Sequence, residues 1–241
     1  MTIDQFIALA ASIGACLAAI ATFLTVGQMA MQRTASFHPE LVVSRILFEG
    51  RAIFAGGLPT HWVAIDNADP NKSNNEESKF FFSVPLSNIG LGAAKNLKVV
   101  WEFPIEEFAV KIEGLARQTS VSANISFKNG MFSIESETLG TGTSIWKNQR
   151  VEHIDYVLPA AVQREATRLR LPHAYVMATS AFLYFSFIAK SKQISELPPL
   201  KVTLDYQDIA DSTYHASFDI QMHVEMLSEP LIRAYLEAKR N

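Results

Sequence analysis

Residues 200–226 read LKVTLDYQDIADSTYHASFDIQMHVEM. Leu200, Val202, Leu204 and Tyr206 alternate with Lys201, Thr203, Asp205 and Gln207. Beyond a polar turn at 207–211 the alternation resumes, with Tyr214, Ala216, Phe218, Ile220, Met222, Val224 and Met226 on one side. His215, Ser217, Asp219, Gln221, His223 and Glu225 occupy the other. A two-residue period places one set of side chains against a core and the other in water, so the stretch reads as an antiparallel hairpin.

Working outward, the same period recurs at Phe80, Phe82, Val84 and Leu86, and again at Leu97, Val99, Trp101 and Phe103. Residues 41–48, 61–66, 107–112, 120–127, 131–135 and 152–158 read as further strands, and the apolar run 181–189 (AFLYFSFIA) as a buried one. The stretches 67–78 and 140–142 read as loops, and 160–170 (AAVQREATRLR) as one short basic helix stopped before Pro172. The end of the chain, 228–240, reads as a helix, with Ser228 as cap, Glu229 and Pro230 in its first turn and Lys239 and Arg240 in its last. Short strands with few helices predict a mainly β chain: one antiparallel β-sandwich over 41–241, closed by a short C-terminal helix.

The sandwich does not account for the composition. Of 241 residues, 49% are hydrophobic and 19% charged, against about 25% charged in an ordinary soluble domain. The excess sits in residues 5–32, which carry no charge. A bilayer crossing needs about 20 apolar residues. The start MTIDQ holds no Lys or Arg, and the apolar run is too long for a secretory signal. Residues 1–33 therefore read as a transmembrane anchor helix and 34–40 as a connector. Arg33, Arg45 and Arg51 follow the span and no basic residue precedes it, which by the positive-inside rule predicts an outside N-terminus and a cytoplasmic C-terminal domain at the inner membrane. The sequons at Asn71 and Asn124 would matter only if the domain faced a glycosylating lumen.

One face of this helix is built of small residues. Ala10, Gly14 and Ala18 form one row, and Ala11, Ala15 and Ala19 another. Small-xxx-small rows let helices approach closely, so both rows are helix-packing candidates. The ridge of Phe6, Leu9, Ile13, Leu17, Ile20 and Leu24 would then face lipid, although the reverse assignment satisfies the same spacing. The partners expected are the lipid bilayer and either another protein or further copies of the chain.

Chemistry-bearing motifs are sparse. A net charge of −3 gives no support for nucleic acid, and the single cysteine, Cys16, excludes an internal disulfide. The Asp205, Asp208, Asp211 and Asp66, Asn67, Asp69, Asn71 clusters match no calcium loop and read as solvated turns. None of the six histidines has paired-ligand spacing; His215 and His223 stand eight apart on one strand face, too far to share an ion. No nucleophile motif is present, so no enzyme, cofactor or metal is expected. Arg164, Arg168 and Arg170, with Arg150 and His173 nearby, form the one basic cluster, a candidate patch for headgroups, nucleic acid or an acidic partner.

Residues 88–96 (NIGLGAAKN) contain G-x-G but not the third glycine of a dinucleotide site, so they read as a tight turn with its glycines at positive φ. With the flanking strands, VPLSNIGLGAAKNLKVVWEF and the later LKVTLDYQDIADSTYHASFDIQM resemble bacterial immunoglobulin-like sandwich domains. They are particularly similar to bacterial single-pass membrane proteins of uncharacterised function with such a domain behind one N-terminal helix. The resemblance implies a binding or scaffolding module and no catalytic residue. A membrane-perturbing effector subunit of a stress or phage-defence system, oligomerising through its helix, is the alternative.

Overall fold

A computed structural model describes residues 2–53, 56–65, 81–191, 197–228 and 231–241. The chain opens with α1 (Ile3–Ser36), 34 residues or about 50 Å at 1.5 Å per residue. Then follow β1 (Leu41–Val43), β2 (Ile46–Arg51), β3 (His61–Ala64), β4 (Ser83–Asn88) and β5 (Ala94–Glu102). Next come α2 (Ile105–Ala116), β6 (Asn124–Lys128), β7 (Met131–Ser136), β8 (Gly140–Ile145) and α3 (Trp146–Gln149). The remainder is β9 (Val151–Val157), β10 (Thr167–Arg170), α4 (His173–Ile188), β11 (Leu200–Gln207), β12 (Thr213–Ser228) and β13 (Leu231–Arg240).

The predicted hairpin, β11–β12, is the middle of a seven-stranded antiparallel sheet ordered β3-β2-β13-β12-β11-β5-β9. A smaller antiparallel sheet, β1-β4-β10, and the helix α4 share one core with its inner face. Phe48 of β2 meets Phe82, just before β4, with ring centroids 5.2 Å apart. Tyr175 of α4 meets Phe103 at 5.0 Å and Trp62 at 6.1 Å. A third antiparallel sheet, β6-β7-β8, packs with α2 and α4. Its first hairpin turns on Asn129 and Gly130, both at positive φ, as a two-residue loop requires.

Several segments differ from the sequence reading, each for a physical reason. The C-terminal helix expected over 228–240 is the strand β13. It lies between β12 and β2, with Ile232, Ala234 and Leu236 buried at a two-residue period. Two-sided pairing outweighs the capping signals; Glu229 and Pro230 lie outside the described residues. The run 181–189 belongs to α4, which starts just after Pro172 and is buried on nearly every side from Ala174 to Leu183. Such a run has no period to distinguish helix from strand. Residues 107–112 lie in α2, whose buried Ile105, Phe108, Ala109, Ile112, Leu115 and Ala116 follow a helical spacing. Residues 160–170 are not a helix: a turn leads into β10, with Leu169 buried between exposed Arg168 and Arg170. Residues 140–142 begin β8, where Gly142 passes so close to α4 that an added Cβ would stand 2.8 Å from Met177 Cε. Residues 41–48 divide into β1 and β2, which join different sheets. The loop residues Asp66, Asn67, Asp69 and Asn71, and Phe80, lie outside the described residues.

Candidate functional site

Helix α1 and the β domain meet at 37–40, and the meeting point is built around one buried amide. Asn88, 1% exposed at the end of β4, accepts hydrogen bonds through Oδ1 from the backbone N–H of Glu40 at 3.0 Å and of Gly90 at 3.1 Å. Its Nδ2 donates to the carbonyls of Gly92 at 2.7 Å and Val157 at 3.1 Å. Every polar position of the carboxamide is used, which is what a buried amide needs. The Ile89 N–H adds a bond to the Glu40 carbonyl at 2.8 Å, and the Tyr206 hydroxyl donates to the Pro39 carbonyl at 3.4 Å. His38 stands edge-on to Tyr214 at 4.5 Å, and Arg240 reaches Glu40 at 3.4 Å.

The glycines of this turn have a different cause from the one expected. Neither Gly90 nor Gly92 is at positive φ. A Cβ on Gly90 would overlap the His38 carbonyl oxygen, and one on Gly92 the Phe37 carbonyl oxygen. They are glycines because the connector lies directly against them. The N-x-G-x-G motif, legible as a turn, is thus the socket that holds the chain leaving α1.

A second feature lies at the far end of β5. The start of α2 (Pro104, Ile105, Glu106, Glu107, Val110), Phe127, Gly130, Trp146, Lys147 and Arg150 line an open groove of about 730 Å³. Hydrogen bonds from the Trp146 and Lys147 N–H groups to the Gly130 carbonyl, at 2.8 and 3.4 Å, seat α3 on the β6–β7 turn. Carboxylates come from α2 and cations from α3 and its C-cap, around an aromatic floor. Nothing in the strand reading of 107–112 pointed to this groove; the helical spacing from Ile105 to Ala116 is the signal that would have.

The predicted basic cluster is only partly assembled. Arg164 sits in a bend, and the expected i, i+4 pairing with Arg168 is lost with the helix. Arg168 and Arg170 share an exposed face of β10. Arg170 lies over the Phe81 ring at 5.3 Å, and its N–H donates to Glu152 Oε2 at 3.3 Å. Burial holds the Glu152 carboxyl above its ordinary pKa despite that bond and the Arg170 charge. Arg150 lines the groove instead. His173 opens α4, its N–H donating to Gln149 Oε1 at 2.8 Å, and burial pushes its imidazole below the usual value.

The aspartates around 205–211 do not converge. Asp205 pairs with His215 at 2.7 Å and Asp211 with Lys95 at 2.8 Å. Asp208 organises its own turn, accepting from Ala210 N at 2.8 Å, Ser212 N at 2.9 Å and the Tyr214 hydroxyl at 2.8 Å. Desolvation works to raise its pKa, but these hydrogen bonds together hold it below the usual range. His223 stacks on Tyr235 at 4.7 Å, with Arg45 over the same ring at 3.6 Å. Among the described residues no three His, Cys, Asp or Glu side chains gather as a metal site.

Ala10, Ala11, Gly14, Ala15, Ala18 and Ala19 are all exposed along α1, and an added Cβ on Gly14 would meet nothing within 4 Å. The segment Ile3–Met29 is long and apolar enough to cross a membrane, and the most apolar part of it is 0% buried against the rest of the chain. No family model, curated protein or solved structure matches the chain.

Proposed function

We propose that the chain is a single-pass, membrane-anchored binding or scaffolding module, non-enzymatic, with its N-terminus outside and its β domain in the cytoplasm at the inner membrane. The observation that carries this reading is the exposed apolar helix tied through 37–40 to a hydrogen-bonded socket. Among the described residues nothing covers the apolar window of this helix, and such a helix needs lipid or other helices around it. Arg33, Arg45 and Arg51 favour the cytoplasmic side for the domain. The groove between α2 and α3 is the surface proposed for a protein partner, because it combines an aromatic floor with charges of both signs. The immunoglobulin-like character of the domain belongs to the same proposal. Its antiparallel sheets support it, while the layer facing the large sheet is here completed by a helix, α4.

The test of the binding role is photo-crosslinking in membranes from a residue placed at Val110, beside the groove. The reading predicts a discrete adduct that Lys147→Glu weakens; no adduct, or one indifferent to Lys147, would argue against the groove.

One observation favours the effector reading as a second possibility. The rows Ala10-Gly14-Ala18 and Ala11-Ala15-Ala19 stand open in the middle of the apolar segment Ile3–Met29, as an oligomerising helix requires. That reading predicts helix-dependent depolarisation of expressing cells, lost in Gly14→Ile; the binding-module reading predicts none.

A further inference from the structure

We infer that the end of the β domain around the socket is a second membrane-contact surface, an apolar rim that settles into the headgroup layer of the bilayer α1 crosses. The inference rests on the anchor reading above. Phe37, Ile89, Leu91, Leu158, Val162 and Ile209 are large apolar side chains, each between 42% and 71% exposed. They come from four separate pieces of chain: the connector, the β4–β5 turn, the segment after β9 and the β11–β12 turn.

Hydrogen bonds and pairings bring these pieces to one end. Gly90 and Gly92 touch the connector at His38 and Phe37. Asn88 bridges to Pro159, and its carbonyl accepts from Ala160 N at 2.8 Å. Ala94, the first residue of β5, pairs with Val157, the last of β9. Lys95 pairs with Gln207 at the end of β11 and forms its ion pair with Asp211 in the next turn. His38 against Tyr214 closes the circuit back to the connector.

The anchor sets the distance to the bilayer. Residues 5–32 span about 42 Å as helix, close to the total thickness of a bilayer with its headgroups, about 40–45 Å. Helix α1 ends four residues later, at Ser36, and Phe37 is already against the socket. The rim is therefore held by covalent connection within about 6 Å of the headgroup layer, a gap that helix tilt narrows.

The polar chemistry of this end agrees. Asp208 is turned inward onto Tyr214, Ala210 and Ser212, which leaves Ile209 as the large exposed apolar residue of its turn. Asp211 is matched by Lys95 and Glu40 by Arg240, so these carboxylates carry their own cations. Exposed Arg164 follows Val162 by two residues, where anionic headgroups would meet it. Docking this end also fixes what faces away. Strand β5 runs its nine residues, about 30 Å, from the rim to the groove, so the groove is presented to water beyond the membrane surface.

The test uses the full chain with Cys16→Ser, carrying one bimane-labelled cysteine at a time, in phosphatidylcholine–phosphatidylglycerol vesicles containing lipid spin-labelled near the headgroup. Probes at Leu91→Cys, Val162→Cys and Ile209→Cys should blue-shift and lose emission to the spin-labelled lipid. A probe at Val110→Cys should do neither, and one at Leu17→Cys within the span should be shielded from water. Rim probes as water-exposed as Val110, with Leu17 still shielded, would overturn the rim and leave the anchor standing. A Leu17 probe open to water would overturn both.

Discussion

The carboxamide of Asn88 receives the backbone N–H of Glu40 at 3.0 Å, across 48 residues of sequence. Through that bond a strand end in the small sheet holds the piece of chain that leaves α1. Replacing Asn88 by Ala removes four hydrogen bonds and leaves buried partners unpaired. Leaving even one such group unpaired costs about 1–3 kcal/mol, so Asn88→Ala should lower the melting temperature of the domain clearly. It should also open the connector at 37–40 to protease well before global unfolding. Thermal melts paired with limited proteolysis check both.

Gly92→Ala tests the close approach separately from the hydrogen bonds. The new methyl must displace the Phe37 carbonyl. Crowding of this kind costs about 1–3 kcal/mol. Gly14→Ala, with nothing within 4 Å of the new methyl, should leave domain stability unchanged. Equal melts for wild type and Gly92→Ala would remove the socket from the account.

Ser180 is the polar pivot between α4 and the large sheet. Its hydroxyl donates to the Pro59 carbonyl at 2.9 Å and accepts from Trp62 Nε1 at 3.0 Å. Ser180→Ala leaves both partners buried and unpaired, a loss of about 1–3 kcal/mol in chemical denaturation. The Trp62 emission should change with it, since the indole loses its partner.

His173 gives the domain a pH dependence of defined sign. Burial lowers its pKa from the usual 6.5, so below that value the unfolded chain binds a proton that the folded chain resists. Its contribution is present above pH 6.5 and is lost as pH falls through the folded value. Melting temperature should therefore decline on moderate acidification, and His173→Gln should flatten that decline. Asp208, held below the carboxylate range, acts in the same direction but in a more acidic window.

Legibility in the sequence followed the physics of each segment. Strands with one wet face, such as β5, β11 and β12, announced themselves because alternation survives whatever packs above them. Helix α4 did not, because a helix buried all round has no polar side to mark its period. Strand β13 looked helical because Ser228, Pro230 and the terminal Lys239 and Arg240 are local signals, whereas its state is set by β2 and β12 on either side. Asn88, Gly90 and Gly92 were visible as a turn, but their burial against 37–40 is a long-range contact that no local pattern encodes. The helical placement of the basic cluster failed for the same reason as β13: pairing with β4 made Thr167–Arg170 a strand.

Cysteine accessibility reports whether the chain crosses the membrane once with its β domain inside the cell. In a Cys16→Ser background, Thr2→Cys and Lys239→Cys are each exposed to a membrane-impermeant maleimide on intact cells. Labelling is expected at position 2 without permeabilisation and at position 239 only after it. Labelling at position 239 in intact cells would contradict that topology.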